Sequence, residues 1–323
     1  MRILQPKVEY WAQGEDWKAH VARCARVCYA SNKTDNNDQM VDRLLSDQHL
    51  SMFRHRSMYW AMPKDSIQWS KLMCLAKNNP YIRVKIEENG LGSLVYVSTN
   101  GHFYHDKWEE LREVGLTEEN QISEENMAKG PGKEILRYTF WIRTQISTSR
   151  ELNRVSPNNI SEQSTRFCNY TQDKFGNQPA ICTPWWFDLH SPNDLDTEDE
   201  IIYDNWSFII GDRDIPFKKF NKAYAYRFLD NYGPELSSTL LYNYLNSCDK
   251  SMGSYIAAID LGMKPQDARG LLPLDTCTEV VYTYFRDEWE RLFENRVEGK
   301  RGLPHPNARL VMELVQSNIE DMD

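Results

Sequence analysis

The chain has 323 residues, of which 41% are hydrophobic and 12% aromatic, so it can bury a large core and is globular, not disordered. Its formal net charge of −9 argues against a general nucleic-acid-binding surface, which would need a basic face. No apolar run approaches the roughly 18 residues of a membrane span, and the first residues lack a signal-peptide core, so we expect a cytoplasmic protein without membrane contact.

The cysteines indicate a reducing environment. The chain has seven of them, an odd number without a Cys-x-x-Cys pair, which is typical of free thiols in a cytosol. His20, Cys24 and Cys28 fall at helical spacing and would suit a metal, but small buried thiols are common core residues. We therefore predict core packing at these positions and no metal site.

The first 62 residues contain two predicted helices and a strand. Apolar side chains at helical spacing predict a helix over residues 15–30 and a second helix at Met40–Leu45. The second helix ends before a loop that contains His49 and Ser51. This loop leads into a strand from about Phe53 to Met62.

Residues 66–134 begin with a helical pattern and continue with short strands. The sequence predicts a helix at Ile67–Leu75, strands at Tyr81–Glu87, Ser93–Thr99 and His102–His105, and hairpin turns at Asn89-Gly90 and Asn100-Gly101. The polar stretch Thr117–Lys133 is predicted to be a mobile loop, because it closes with Gly130-Pro131-Gly132.

Residues 136–170 combine a predicted strand with a cluster of arginines. The strand comes first, with β-branched and aromatic residues alternating with their neighbours from Tyr138 to Thr144. The second half concentrates Arg150, Arg154, Arg166, Ser161, Glu162 and Ser164. Guanidinium groups pair bidentately with phosphate oxygens, so this set suits a phosphate with an attached polar ring. A solvated, salt-bridged surface is the alternative that the residues leave open.

The last part of the chain is predicted to be mainly helical. The acidic stretch 188–204 is expected to be a solvated loop, and its spacing does not fit a calcium loop. Residues 217–261 are predicted to be helical, and Pro265 begins the next helix at a favourable first-turn position. Cys277–Glu294 is predicted to be an aromatic-rich helix.

Four blocks of sequence resemble one known family. Glu151-Leu152-Asn153-Arg154 followed by Ser161-Glu162-Gln163-Ser164-Thr165-Arg166-Phe167 is similar to the signature of flavin-dependent thymidylate synthases, Arg-His-Arg and then Glu/Gln-x-Ser-x-Arg-Tyr. His49–His55 resembles the family's His-x-Ser/Thr-Pro-Phe-Glu-His, and Gly262–Pro273 resembles its Gly-x-x-Pro-Gln-x-Ala-Arg-x-x-Leu-Pro. Trp289, Phe293, Arg296 and His305-Pro306-Asn307-Ala308-Arg309 fall where the family has Trp, Phe, Arg and His-Pro-x-x-Arg.

The chain departs from the family pattern mainly where the family holds flavin. Arg-His-Arg appears here as Arg154-Val155-Ser156, and the next family Ser is Asn159. The family's later Asn-x-Arg aligns with Phe285-Arg286-Asp287. A carboxylate in place of a guanidinium reverses the local charge and repels a pyrophosphate. The sequence therefore predicts a retained pyrimidine-nucleotide site and an altered flavin site.

The resemblance implies a fold, an assembly and a domain layout. The expected fold class is α+β, a twisted, mainly antiparallel sheet flanked by helices. The expected assembly is a homotetramer with sites shared between subunits. We expect a single thymidylate synthase-like domain over residues 1–323, with insertions at about 66–134 and 188–235.

The resemblance also implies the reaction, a one-carbon transfer to C5 of deoxyuridine monophosphate (dUMP). The carbon donor would be methylenetetrahydrofolate, and the reductant would be FAD, itself reduced by NADPH. Arg296 would be the catalytic residue, because a permanent positive charge beside the uracil ring stabilises negative charge on it. Further substrate contacts would come from Glu151, Arg154, Glu162, Ser164, Arg166 and Arg269, and FAD contacts from His49, Ser51, Arg154 and Glu162.

Two alternative functions remain open at this point. One is a relative that binds a pyrimidine nucleotide but performs different C5 chemistry or uses flavin weakly. The other is a catalytically inactive scaffold on the same fold. A yellow protein would favour the flavin enzyme, and a colourless protein that binds dUMP would favour the first alternative. A protein that binds neither ligand would favour the scaffold.

Overall fold

Three sheets and their flanking helices make up the part of the chain that the computed structural model describes. That part comprises residues 1–31, 36–89, 92–155, 157–187, 200–204, 207–210, 213–216 and 234–322. The strands are β1 (Arg2–Leu4), β2 (Lys7–Tyr10), β3 (Ser57–Pro63), β4 (Ile82–Asn89), β5 (Gly92–Asn100), β6 (Arg137–Gln145), β7 (Ile160–Glu162), β8 (Ala180–Cys182), β9 (Glu200–Asp204), β10 (Ser207–Ile210), β11 (Arg213–Pro216) and β12 (Cys277–Phe285).

The helices lie before, between and after these strands. They are α1 (Trp17–Val27), α2 (Asn37–Ser46), α3 (Trp69–Ala76), α4 (Gly101–Asp106), α5 (Trp108–Glu113), α6 (Glu124–Ala128), α7 (Ile146–Leu152), α8 (Pro234–Asp260), α9 (Pro265–Ala268), α10 (Arg286–Arg296) and α11 (Pro306–Met322). Short 3₁₀ helices cover Leu50–His55, Pro131–Ile135 and Arg269–Leu271, among others. In the described part of the chain, no helix is long and apolar enough to cross a membrane.

The central sheet has the strand order β2-β6-β12-β7, and all its neighbours run antiparallel. The second sheet, β3-β5-β4, is also antiparallel. The third has the order β11-β10-β9-β1-β8 and contains one parallel pair, β1 with β8. The predicted α+β class with mainly antiparallel sheets is therefore confirmed.

The core of the molecule lies on the two faces of β6 and β12. On one face Phe140, Tyr282 and Tyr284 pack around the fully buried Trp289 of α10. On the other face Val281 packs under α1. Burial on both faces explains why the alternation of polar and apolar residues is weak in β12.

The predicted helix at Cys277–Glu294 is wrong in its first half. Residues 277–285 form β12, which pairs with β6 over its whole length, from Cys277 opposite Gln145 to Phe285 opposite Arg137. A strand buried on both faces has a continuous apolar sequence that periodicity cannot distinguish from a buried helix. The helix begins only at Arg286, where the Glu288 side chain accepts a hydrogen bond from the Phe285 backbone N–H at 3.0 Å.

The predicted strand at His102–His105 is a helix, α4. The reason lies at Asn100, whose side chain accepts a hydrogen bond from the Phe103 backbone N–H at 2.8 Å and thereby caps the helix. Asn100-Gly101 is thus a strand-to-helix junction and not a hairpin turn. The strand predicted from Phe53 begins later, at Ser57, because the residues before it form the 3₁₀ helix.

Other predictions in chain order have mixed outcomes. The two N-terminal helices, the helix near Ile67, the strands near Tyr81, Ser93 and Tyr138, and the helix at Pro265 are confirmed. β4 and β5 form the predicted hairpin up to Asn89 opposite Gly92, although its turn lies outside the described residues. Residues 188–199 and 217–233 also lie outside the described residues, so the predictions made for them are not tested. Glu200–Asp204 is a strand and not part of the predicted loop.

The stretch Thr117–Lys133 is not a plain loop. It contains α6, and Met127 of that helix is fully buried. Gly132 packs so closely that a Cβ atom there would lie 2.7 Å from both the Met127 backbone oxygen and Tyr96 Cδ1. This close approach, and not backbone freedom, explains the glycine.

We expect Gly132→Ala to lower the free energy of unfolding by about 1–3 kcal/mol, because the added methyl group overpacks a rigid site. Urea denaturation measures this change. Gly253→Ala is the matched control, because a Cβ on Gly253 of α8 meets nothing within 4 Å and alanine is the better helix former. Equal midpoints for Gly132→Ala and the wild type would contradict the packing described here.

Candidate functional site

Glu162 lies at the end of β7, where the central sheet meets α7. One of its carboxylate oxygens accepts hydrogen bonds from the Ser149 hydroxyl at 2.7 Å and from the Thr278 hydroxyl at 3.4 Å. Ser149 belongs to α7 and Thr278 to β12, so two elements of the core fix this half-buried carboxylate. A fixed, negatively charged acceptor is suited to orienting a polar ring.

Ser164 and Arg166 lie on the turn after β7, and Arg269, at the start of the 3₁₀ helix Arg269–Leu271, lies beside that turn; we call these three predicted site residues the Arg166 group. The Ser164 backbone N–H donates to the Cys28 carbonyl at 3.0 Å, which anchors the turn to the end of α1. Arg269 Nη1 lies 3.4 Å from the Thr165 hydroxyl of the same turn. Arg166 and Arg269 are both exposed, so two guanidinium groups are available to an anion here.

A second group of predicted residues comprises Glu151, Arg154 and Arg296. Arg154 and Arg296 line a cavity of about 320 Å³, which we call the Arg296 pocket. Arg296 donates from Nε at 3.1 Å and from Nη2 at 2.9 Å to the Glu151 carbonyl at the end of α7. Two lining arginines, Arg291 and Arg301, were not predicted from the sequence. The signal that would have pointed to them is the recurrence of arginine through residues 286–301.

The prediction that Arg166, Arg269 and Arg296 meet at one ligand is not tested by a single chain. Among the described residues, no hydrogen bond joins the Arg166 group to the Arg296 pocket, and no member of the Arg166 group lines that pocket. One nucleotide bridging the two groups therefore stays a prediction.

The predicted flavin contacts are spread over three places. His49 and Ser51 are exposed at the start of the 3₁₀ helix before β3, and Arg154 is exposed at the Arg296 pocket. Glu162 is held by hydroxyl groups as described above. These four side chains are accessible to a ligand.

Residues 285–287 do not fit the flavin contacts that the resemblance implies. The Phe285 side chain is 1% exposed, and the Asp287 carboxylate accepts two hydrogen bonds from Arg83 of β4, at 3.3 and 3.1 Å. The Arg83 guanidinium also lies 4.4 Å from the centre of the Phe285 ring. Through Arg83, the segment 66–134 therefore contacts the start of α10.

A buried polar network links the segment before β3 to the nucleotide segment. His55 is fully buried, with Nδ1 2.8 Å from the Thr283 hydroxyl and Nε2 2.9 Å from the Ser161 hydroxyl. Thr283 continues to Thr139 at 2.8 Å, and Thr139 lies 3.4 Å from His20 Nε2. The sequence did not point to this network, because its members are isolated polar residues on otherwise apolar elements.

Both histidines of this network are neutral at neutral pH. Burial lowers the pKa of His55 well below its ordinary value, and burial lowers the pKa of His20 to about 4. His20 contacts Cys24 at 3.8 Å, and no cluster of metal-ligating side chains occurs among the described residues. The His20 and Cys24 side chains are both buried, which agrees with the core packing predicted for them.

Comparison with known proteins gives one family match. The family model described as thymidylate synthase complementing protein matches residues 104–319, more than half of the chain. No curated protein sequence matches this chain.

Two solved structures resemble this chain at low identity. A crystal structure of a UMP/dUMP methylase PolB from Streptomyces cacaoi bound with 5-Br dUMP is 12% identical, covers 99% of this chain and 93% of its own, and has a TM-score of 0.43. The same protein bound with 5-Br UMP is 13% identical, covers 99% and 91%, and has a TM-score of 0.42. At these scores, nothing about the activity of this chain follows from them.

We expect the buried His20 to make stability depend on pH. Its pKa of about 4 in the folded chain lies below the ordinary 6.5, so the unfolded chain takes up the proton first as the pH falls. Its contribution is complete above pH 6.5 and is lost between 6.5 and 4. The free energy of unfolding should fall between pH 7 and pH 5 by about 2 kcal/mol more in the wild type than in His20→Gln.

Denaturation series at both pH values measure this difference. Glutamine retains hydrogen-bonding capacity toward Thr139, and the exposed His105→Gln is the control that should keep the wild-type pH dependence. The same loss of stability in His20→Gln as in the wild type would contradict the assignment.

Proposed function

This chain belongs to the family of flavin-dependent thymidylate synthases, and on that premise we propose that it is an enzyme that adds a one-carbon unit to C5 of dUMP. The observation that carries the proposal is the family match over residues 104–319. This range contains all the residues that we assign to the nucleotide: Glu151, Arg154, Glu162, Ser164, Arg166, Arg269 and Arg296.

The Arg166 group would bind the phosphate. Arg166 and Arg269 are exposed on neighbouring segments, and the Ser164 hydroxyl lies on the same turn. Hydrogen bonds between a charged donor and phosphate are shorter and stronger than neutral ones, and arginine supplies them in pairs. In a protein whose net charge is −9, these two guanidinium groups form a local concentration of positive charge.

The Arg296 pocket would bind the pyrimidine ring. C5 of uracil is a poor nucleophile, and negative charge on O4 or on N3 makes it more electron-rich. Arg296 is held in place by the Glu151 carbonyl and stays charged without a proton transfer, so it can stabilise that charge. Arg154 shares the pocket, and Glu162 would orient the ring through its fixed carboxylate. No amino-acid nucleophile is needed.

The phosphate and ring sites would come from different subunits. We propose a homotetramer in which the Arg166 group of one protomer and the Arg296 pocket of another enclose one nucleotide. This arrangement accounts for the lack of a described contact between the two groups within a chain. We also propose one domain, in which residues 66–134 and 188–235 are insertions.

The cofactors of the reaction follow from the family and are proposals for this chain. FAD would supply hydride equivalents, NADPH would reduce it, and methylenetetrahydrofolate would donate the carbon. His49, Ser51, Arg154 and Glu162 are accessible for contacts with FAD. Phe285 and Asp287 do not fit a flavin pyrophosphate, because one is buried and the other is a carboxylate bound to Arg83.

The pairing of Arg83 with Asp287 favours a second candidate function. In this candidate the chain binds the same nucleotide but modifies C5 without tightly bound flavin. The absorbance spectrum of the purified protein separates the two. A flavin band at one equivalent per chain supports the first candidate, and a colourless protein that binds dUMP supports the second. A protein that binds neither ligand would be an inactive scaffold.

We expect Arg166→Met and Arg269→Met each to weaken dUMP binding by about 10- to 100-fold, because each removes hydrogen bonds from a charged donor worth about 1.5–3 kcal/mol. Isothermal titration calorimetry measures the dissociation constants.

We expect Arg296→Met to lower the turnover of dUMP by about 10²–10³-fold, because it removes one donor to the negative charge that develops on the uracil ring.

Arg43→Met is the matched control for these three variants. Arg43 is exposed on α2 and lies outside both groups, so its replacement should leave dUMP binding unchanged. An unchanged dissociation constant for dUMP in both Arg166→Met and Arg269→Met would contradict the proposed phosphate site.

A further inference from the structure

A second cavity has a volume of about 650 Å³. It is bounded by α1, by the ends of β1, β2 and β6, and by the segment 170–180. We call it the Arg143 cavity. None of the side chains assigned above to the nucleotide or to flavin lines it in the described part of the chain.

The walls of the Arg143 cavity are positively charged in a protein whose net charge is −9. Among the described residues that line it, five are cationic and two are acidic: Arg2, Arg23, Arg26, Arg143 and Lys174 against Glu9 and Glu279. An excess of cations around a concave site raises the local concentration of anions.

Several hydrogen-bond donors of the cavity have no partner. Arg143 donates from Nε to the Gln5 carbonyl at 2.8 Å, but its buried Nη2 has no hydrogen-bond partner among the described residues. The Tyr170 hydroxyl is likewise buried without a hydrogen-bond partner among the described residues, and the Tyr170 side chain is 4% exposed. The half-buried Arg26 forms no ion pair within the described part of the chain. Arg143 Nη2 and the Tyr170 hydroxyl are buried below the cavity surface, so the donors open to a bound acceptor are Arg143 Nη1 and the Arg26 guanidinium, for which no partner exists among the described residues.

Aromatic rings form another part of the wall. The indole rings of Trp11 and Trp141 are nearly parallel, with 9° between their planes and 6.3 Å between their centres. The Arg23 guanidinium lies 3.5 Å from the centre of the Trp11 ring. Flat aromatic and guanidinium surfaces of this kind stack against planar ligands.

We propose that the Arg143 cavity binds a small anion that carries a planar ring, of the class of nucleoside monophosphates. Arg143 and Arg26 bind the phosphate, and the half-buried Trp141 ring contacts the base. The volume suits a ligand of this size. This site shares no assigned side chain with the proposed catalytic site, although Gln163, which lies between Glu162 and Ser164 in the sequence, lines the cavity.

Calorimetric titration of the full-length protein with AMP tests this proposal. We expect one saturable AMP site per chain, with a dissociation constant below about 1 mM, and at least tenfold weaker binding of adenosine, which lacks the phosphate. Arg143→Met and Arg26→Met should each weaken AMP binding by at least about tenfold. Arg166→Met and the surface control Arg43→Met should leave it unchanged.

Two variants are compared because a single replacement could weaken AMP binding simply by destabilising the fold. Arg143 has a backbone contact that its replacement removes, whereas Arg26 has none among its described side-chain contacts, so Arg26→Met gives the safer result. No saturable AMP binding, or binding that survives Arg26→Met, would overturn the proposal. Loss of AMP binding in Arg166→Met would place AMP in the catalytic site and would also overturn it. Weakened dUMP binding in Arg166→Met tests the proposed function separately.

Discussion

The buried guanidinium of Arg137 fixes the segment before β3 against the centre of the main sheet. It is 1% exposed and donates to the carbonyls of Arg54, Arg56 and Thr283 and to the Ser57 hydroxyl, at 2.6 to 3.4 Å. No carboxylate forms an ion pair with it among the described residues. Burial lowers the pKa of Arg137 to about 10, so the group stays charged at neutral pH, and its charge is balanced by backbone dipoles.

This arrangement decides where the candidate site lies. Arg137 begins β6, and β6 and β12 pair along their whole length, so α7 and α10 emerge at opposite ends of the central pair. α10 then carries Arg296 back along the sheet to the Glu151 carbonyl at the end of α7. The His55 hydrogen bonds to Thr283 and Ser161 tie the same segment to β7, next to Glu162. A hydrophobic core alone would not fix these polar positions.

Sequence reasoning succeeded where the signal is local. Amphipathic spacing located α1 and α2, and the four sequence blocks identified the family and its arginines. It failed at β12, because a strand buried on both faces and a buried helix have the same apolar sequence. It also missed contacts between distant segments. Arg83 meets Asp287 across 204 positions, and the network of His55 joins residues that no spacing rule connects.

We propose that one nucleotide is bound by the Arg166 group of one protomer and the Arg296 pocket of another. Mixed oligomers of Arg166→Met and Arg296→Met test it most directly, through the turnover of dUMP after joint unfolding and refolding. Each variant alone has one damaged component in every site, whereas a mixed oligomer contains some sites with both components intact. We expect turnover to reappear in the mixture. Turnover no higher than the mean of the two separate variants would contradict a site shared between subunits.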